Sequence, residues 1–177
     1  MLNNFETLAL ARQSCREFSD KVLEKETLDK IMQIAMLAPS ACNSQPWRMV
    51  CAFEKTSVDA VCDCLQEKGH NKFLSGAKAF IAVVNKNATL KDTVQSKFDR
   101  NRFVKYDVGE LIAYLTLGAK DLGVDSCIIG WMNEEKLSSV LGLEENEKCE
   151  IVVALGYSDI LIREKKRKTK EEVVRYI

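Results

Sequence analysis

Apolar residues recur at helical spacing in some stretches of this chain and gather into short unbroken runs in others. Asn3 to Ala11 fits a short helix with Phe5, Leu8 and Ala9 on one side, and Arg12 to Phe18 breaks that pattern. Leu28, Ile31, Met32, Ala35 and Ala38 predict a longer helix over about Glu24 to Ala38, closed by Pro39. Trp47 to Phe53 reads as a strand and Ser57 to Glu67 as a helix. Ala77 to Val84 is a mostly apolar strand, the pattern of burial on both faces. Asn85 to Asn101 is polar and reads as a surface excursion. Asp107 to Leu122 is the strongest helix, with Val108, Leu111, Ile112, Leu115 and Ala119 on one stripe that Tyr114 and Leu117 widen. A helix apolar over so wide an arc belongs at the centre of a fold or at an interface. Asp107 is its expected N-cap and Gly123 its stop. Val124 to Ile129 is a strand, Asn133 to Leu141 a helix stopped by Gly142, and Glu150 to Gly156 a last strand. The charged tail from Arg163 to Ile177 ends in a possible short helix. These elements describe a single α+β domain over residues 1–177: a small mixed sheet of about four to five strands surrounded by helices.

Composition narrows the function classes. Lys plus Arg and Asp plus Glu both number 26, so the formal net charge is zero. A nucleic-acid partner is not expected without a basic excess over the whole domain. No apolar run reaches the length of a membrane span. The start Met1-Leu2-Asn3-Asn4-Phe5-Glu6 lacks the charged and apolar blocks of a signal peptide, so a cytoplasmic protein is expected. The seven cysteines are odd in number and contain no C-x-x-C pair, and His70 is the single histidine. That pattern fits reduced core thiols and offers no metal-site spacing. His70, between Gly69 and Asn71, reads as an exposed loop residue.

Two segments have the chemistry of an anion and heterocycle site. In Arg12-Gln13-Ser14-Cys15-Arg16, an extended backbone turns Arg12, Ser14 and Arg16 to one side. Two guanidinium groups around a hydroxyl suit a phosphate, because the planar fork forms charge-assisted bonds to its oxygens. Taken alone, the same residues also describe a solvated turn. The second segment is Ala38-Pro39-Ser40-Ala41-Cys42-Asn43-Ser44-Gln45-Pro46-Trp47, where hydroxyls and two amides lie between two stiffening prolines. Asn43 and Gln45 each offer donors and an acceptor, the mixture needed by a ring with alternating C=O and N–H groups.

In order and spacing these segments resemble the nitroreductase-like flavoproteins, which share an R-x-S-x-[RK] stretch and, about two dozen residues later, A-P-S-x-x-N-x-Q-P-W. Asp107 to Leu122 looks like the family's central helix. Ser126 to Lys136 looks like its strand and turn beside the flavin, and Val152 to Tyr157 with Lys165-Lys166-Arg167-Lys168 looks like its closing strand and phosphate-binding tail. Gln13 departs from the frequent R-R-S, and Gly130-Trp131 stands where many members read G-G or E-G.

The resemblance implies FMN as cofactor, NADH or NADPH as electron donor, and a homodimer with FMN at the interface. Arg12 and Ser14 would contact the phosphate and ribityl chain, and Arg16 the N1/O2 side of the ring. Pro39, Ser40, Asn43 and Gln45 would belong to the loop that reaches the partner subunit's flavin. Ile129 and Gly130 would place a backbone N–H near flavin N5, and Lys165 and Arg167 would close on the phosphate. It implies ping-pong hydride transfer to an electron-poor small molecule such as a nitroaromatic or quinone, with no catalytic side chain. Alternatives are flavin cleavage, reductive dehalogenation, or a flavin-binding or sensing protein without turnover.

Overall fold

The computed structural model describes residues 5–177. Helix α1 spans Phe5–Ala11, α2 Lys25–Ala35, strand β1 Trp47–Ala52, α3 Lys55–Leu65 and β2 Ala79–Asn85. A short α4 (Asp92–Gln95) leads to α5 (Val104–Asp121), β3 (Asp125–Ile129), α6 (Glu134–Leu141), β4 (Lys148–Gly156) and α7 (Lys170–Val173). The expected start of the first helix at Asn3 lies outside the described residues.

The strands form one sheet in the order β1-β2-β4-β3. The fold is the expected α+β class. Pairing among the four strands is antiparallel throughout, and a parallel contact occurs at the bridge between Ser14 and Ser126. β2 is central and buried on both faces, as its continuous apolar run predicts. Because side chains alternate along a strand, Ala79, Ile81 and Val83 pack toward α2 and α5, while Phe80, Ala82 and Val84 pack toward α3 and α6. Leu28 and Ile31 of α2 meet Leu111 and Leu115 of α5 in the first layer, and Val61, Leu65 and Leu137 fill the second. Burying side chains of this size stabilises by roughly 1.5–3 kcal/mol each.

Two helix ends differ most from expectation, while α3 runs two residues earlier than Ser57 to Glu67 at both ends. α2 stops at Ala35 rather than Ala38, because the ring of Pro39 would clash with the carbonyl of residue 35 in a continued helix. The chain leaves instead through tighter bonds, from Leu37 N–H to the Ile34 carbonyl and from Ala38 N–H to that of Ala35. α5 begins at Val104, so Asp107 lies inside the first turn and is not the N-cap. Its carboxylate is turned to another part of the molecule. Asn133 does cap α6, accepting from Lys136 N–H, and Gly142 ends that helix at φ +61°. Within 85–101, Ala88 and Leu90 are buried, so the polar excursion is tacked to the core. Among the described residues no helix is long and apolar enough to cross a membrane.

Candidate active site

Residues 12–16 leave α1 and run beside β3. Arg12 N–H closes the last turn of α1 on the Leu8 carbonyl, and Cys15 N–H donates to the Ser126 carbonyl at 2.9 Å. The alternation expected of an extended segment is present: Gln13 and Cys15 are buried, while Arg12, Ser14 and Arg16 line one cleft.

The far wall of that cleft is the C-terminal tail. Gln13 fastens it: its Nε2 donates to the Leu161 carbonyl at 3.2 Å, and its Oε1 accepts from Arg163 N–H and Nε. Arg163 also donates to the Ser14 carbonyl at 2.8 Å, and Lys165 Nζ donates to the Arg12 carbonyl. The result is an open cleft of about 590 Å³ with Arg12, Arg16, Arg163, Lys165, Lys166 and Arg167 on its walls and Glu164 as the one acid among them.

The positive charge in this cleft is poorly compensated. The Nε and Nη2 atoms of Arg12 are buried and have no hydrogen-bond partner among the described residues. Burial lowers the proton affinity of that guanidinium. Lys165 is lowered too, first by burial and then by repulsion from Arg167, Arg12, Arg163 and Lys120. Buried donors without acceptors are costly, and they mark where an anion would be most strongly held. Lys120 is itself paired to Asp125 at 2.8 Å beneath the cleft.

The second segment is a stiff loop elsewhere on the chain. Ser40 is extended, Ala41–Asn43 make one turn of 3-10 helix, and Cys42, Asn43 and Gln45 all have positive φ. Ser40 Oγ accepts from Gln45 N–H at 2.9 Å, and Gln45 Nε2 lies 3.3 Å from both Oδ1 and the carbonyl of Asn43. Ser44 Oγ accepts from Thr89 N–H at 2.7 Å. Pro39, Asn43 and Gln45 are exposed and Ser40 is half-buried.

The structure therefore gathers Arg12, Ser14, Arg16, Lys165 and Arg167 in one cleft. Within a single chain, Pro39, Ser40, Asn43 and Gln45 do not border it. Gln45 lines a separate cleft with Met32, Met36, Trp47 and Met49. Ile129, buried, and Gly130, exposed, stand at the end of β3 and also lie off the basic cleft. Arg163 and Gln13 were not among the residues expected at the site, and Lys166 was expected only as part of the basic tail. Gln13 gave a signal, since it stands between two same-side arginines in an extended stretch and so points inward. His70 is exposed, and its ring packs on Trp131 with centroids 4.5 Å apart. All seven cysteines are free, and burial pushes the Cys51 and Cys149 thiols up to about 11.

Comparison with known proteins agrees with this architecture. The nitroreductase family profile matches residues 9–61 and 52–157. A putative NADH dehydrogenase/NAD(P)H nitroreductase of Archaeoglobus fulgidus is 31% identical over 150 residues, spanning 82% of this chain and 80% of the relative. The crystal structure of a nitroreductase family protein from Clostridium difficile superposes with a TM-score of 0.82 at 26% identity, covering 98% of both chains. An FMN-dependent nitroreductase from Clostridium difficile superposes with a TM-score of 0.72 at 25% identity, covering 96% of each chain. The chain belongs to the nitroreductase family.

Proposed function

We propose that this chain is a cytoplasmic, single-domain, FMN-dependent NAD(P)H oxidoreductase. It reduces an electron-poor small molecule, such as a nitroaromatic or quinone, by ping-pong hydride transfer, and works as a homodimer with FMN at the interface. The observation that carries this reading is the pair of buried, unpartnered Arg12 donors in a cleft with six cations and one acid. A phosphate dianion fits that deficit: it supplies acceptors for Nε and Nη2 and puts negative charge beside Lys165, which is lowered first by burial and then by the cations around it. The FMN-dependent structural relative supports the choice of ligand.

When bound, FMN supplies the redox chemistry, and the protein supplies position and electrostatics. Arg12, Lys165 and Arg167 would hold the phosphate, and Ser14 would contact the phosphate and ribityl chain. Arg16 would favour negative charge on the N1/O2 side of the bound ring and so raise its reduction potential. The Ile129–Gly130 backbone would offer an N–H to the N5 edge of the ring. Pro39 stiffens the loop through which Ser40, Asn43 and Gln45 would reach the flavin of the second subunit. Asn43 Oδ1 is engaged by Gln45, so its amide NH₂ is the group left to donate. No side-chain acid or base is needed.

The test is the visible spectrum of the FMN-loaded protein under anaerobic conditions. NADH or NADPH bleaches the bound flavin, and a nitroaromatic or quinone restores its colour, with parallel double-reciprocal plots. A flavin that binds but is bleached by neither donor indicates a binding protein without turnover.

A further inference from the structure

We propose that Asp107 is a positioning residue that holds the 38–45 loop in its working shape. Its effect on cofactor rests on the function proposed above. Asp107 is 4% exposed, one turn into α5, between Val104, Val108 and Leu111 of the core. Its Oδ1 accepts from Ala41 N–H at 3.0 Å, and its Oδ2 has no partner among the described residues. An isolated carboxylate is a poor core residue, and an apolar side chain would fill the same space at less desolvation cost. The first turn of α5 eases the charge through its exposed N–H dipoles. That makes the carboxylate tolerable there, but it does not explain its presence.

Ala41 explains it. The first amides of a helical turn have no partner inside the turn. Ser40 stands at the N-cap position of the 3-10 turn, yet its side chain makes no capping bond, because Ser40 Oγ is taken by Gln45 N–H. Asp107, far away in sequence, supplies the missing acceptor. The loop needs such a tie. Cys42, Asn43 and Gln45 have φ of 55°, 53° and 46°, a left-handed region disfavoured for residues with a side chain. Three bonds pin the ends of this stretch: Asp107 to Ala41, Ser40 to Gln45 and Thr89 to Ser44. Without the first, the turn can relax, and Asn43 and Gln45 leave the positions from which they meet the ring.

Two variants separate this role from a general one in the core. Asp107→Leu keeps the space filled and removes both the charge and the acceptor. Asp107→Asn removes the charge and keeps an acceptor oxygen for Ala41. Amide hydrogen exchange is followed at residues 43–45 and along α5, with FMN affinity and thermal unfolding. Asp107→Leu unfolds no earlier than wild type, exchanges at 43–45 about tenfold faster, and binds FMN about tenfold more weakly, the size of one lost hydrogen bond. Its α5 amides keep their protection. Asp107→Asn stays within about threefold of wild type on both counts. If the leucine variant does not fold, Asp107→Ala is measured in its place against the same criteria. Wild-type exchange and affinity in the leucine variant overturn the proposal. So does protection lost equally along α5, or an asparagine variant as impaired as the leucine one. If the wild-type protein binds no FMN, the cofactor reading fails while the exchange comparison still decides the role of Asp107.

Discussion

A single oxygen of Gln13, Oε1, accepts from both the backbone N–H and the Nε of Arg163, at 3.1 and 3.2 Å. The same carboxamide donates to the Leu161 carbonyl, so one side chain, 7% exposed, ties two stations of the tail to the start of the chain. Gln13→Leu removes all three bonds and leaves their partners unpaired. The tail should come free, and FMN affinity should fall by about 1–3 kcal/mol. Limited trypsin digestion checks the first effect, with earlier cleavage after Arg163 and Lys165, and FMN titration checks the second. A digestion pattern like that of wild type would show that the tail is held by other means.

Lys165 gives a pH dependence with a definite sign. Its pKa in the folded chain lies below the usual lysine value of 10.5, first through burial and then through the cations around it. The unfolded chain therefore binds this proton more tightly. The stabilising contribution is fully present above 10.5 and is lost as pH falls through the folded value. A bound phosphate reverses the preference, because it favours the ammonium. FMN affinity should fall as pH rises through the lowered Lys165 pKa, and binding should take up protons at alkaline pH above that lowered pKa. Calorimetry in two buffers of different ionisation enthalpy measures the uptake. Lys165→Met should abolish it, and an unchanged uptake in that variant would assign it to another group.

How much of this was legible in the sequence depends on how far each contact reaches along the chain. β2 was readable because a continuous apolar run has few other uses, and α6 because Asn133 and Gly142 mark its ends locally. Arg12, Ser14 and Arg16 share a side by the two-residue period of an extended chain, which needs no tertiary information. Asp107 was misread for the opposite reason. Asp is a good N-cap, but its carboxylate is used by Ala41, and Val104 already belongs to the core-facing stripe. Gln13 looked like the loss of an arginine because its partners, Leu161 and Arg163, lie at the other end of the chain. Nor does any local pattern say that the 39–45 loop and the basic cleft sit apart within one chain.

Gly118 sets how closely α2 and α5 approach. A Cβ added there would lie 2.6 Å from Cγ2 of Ile34, closer than real contacts allow. Gly118→Ala should destabilise by about 1–3 kcal/mol in urea unfolding, through overpacking of this crossing. Ile34→Ala in the same chain removes the clashing methyl. The pair should then show favourable coupling in a double-mutant cycle. Simple additivity would place the strain elsewhere.

The proposed dimer has a stoichiometric consequence. Tyr106 and Tyr114 leave exposed aromatic surface on α5, and Asn43 lies off its own chain's basic cleft. If Arg12 serves its own flavin and Asn43 the partner's, a mixed dimer of Arg12→Ala and Asn43→Ala chains carries both lesions in one site and leaves the other intact. Purified mixed dimers, sized by sedimentation, should bind one FMN tightly and one weakly. Two equally weakened sites would assign Arg12 and Asn43 of one chain to the same flavin, and a monomer that binds FMN tightly would contradict the dimer.

The central claim, that the Arg12 cleft is a phosphate seat for FMN, is tested most directly by titrating the cofactor-free protein with FMN and with riboflavin, which differ by that phosphate alone. FMN should bind much more tightly to the wild-type protein. In Arg12→Ala the FMN affinity should drop by roughly 1–3 kcal/mol, the scale of a lost charged hydrogen bond, while riboflavin binding stays nearly constant. Equal affinities of the wild-type protein for FMN and riboflavin would contradict the account.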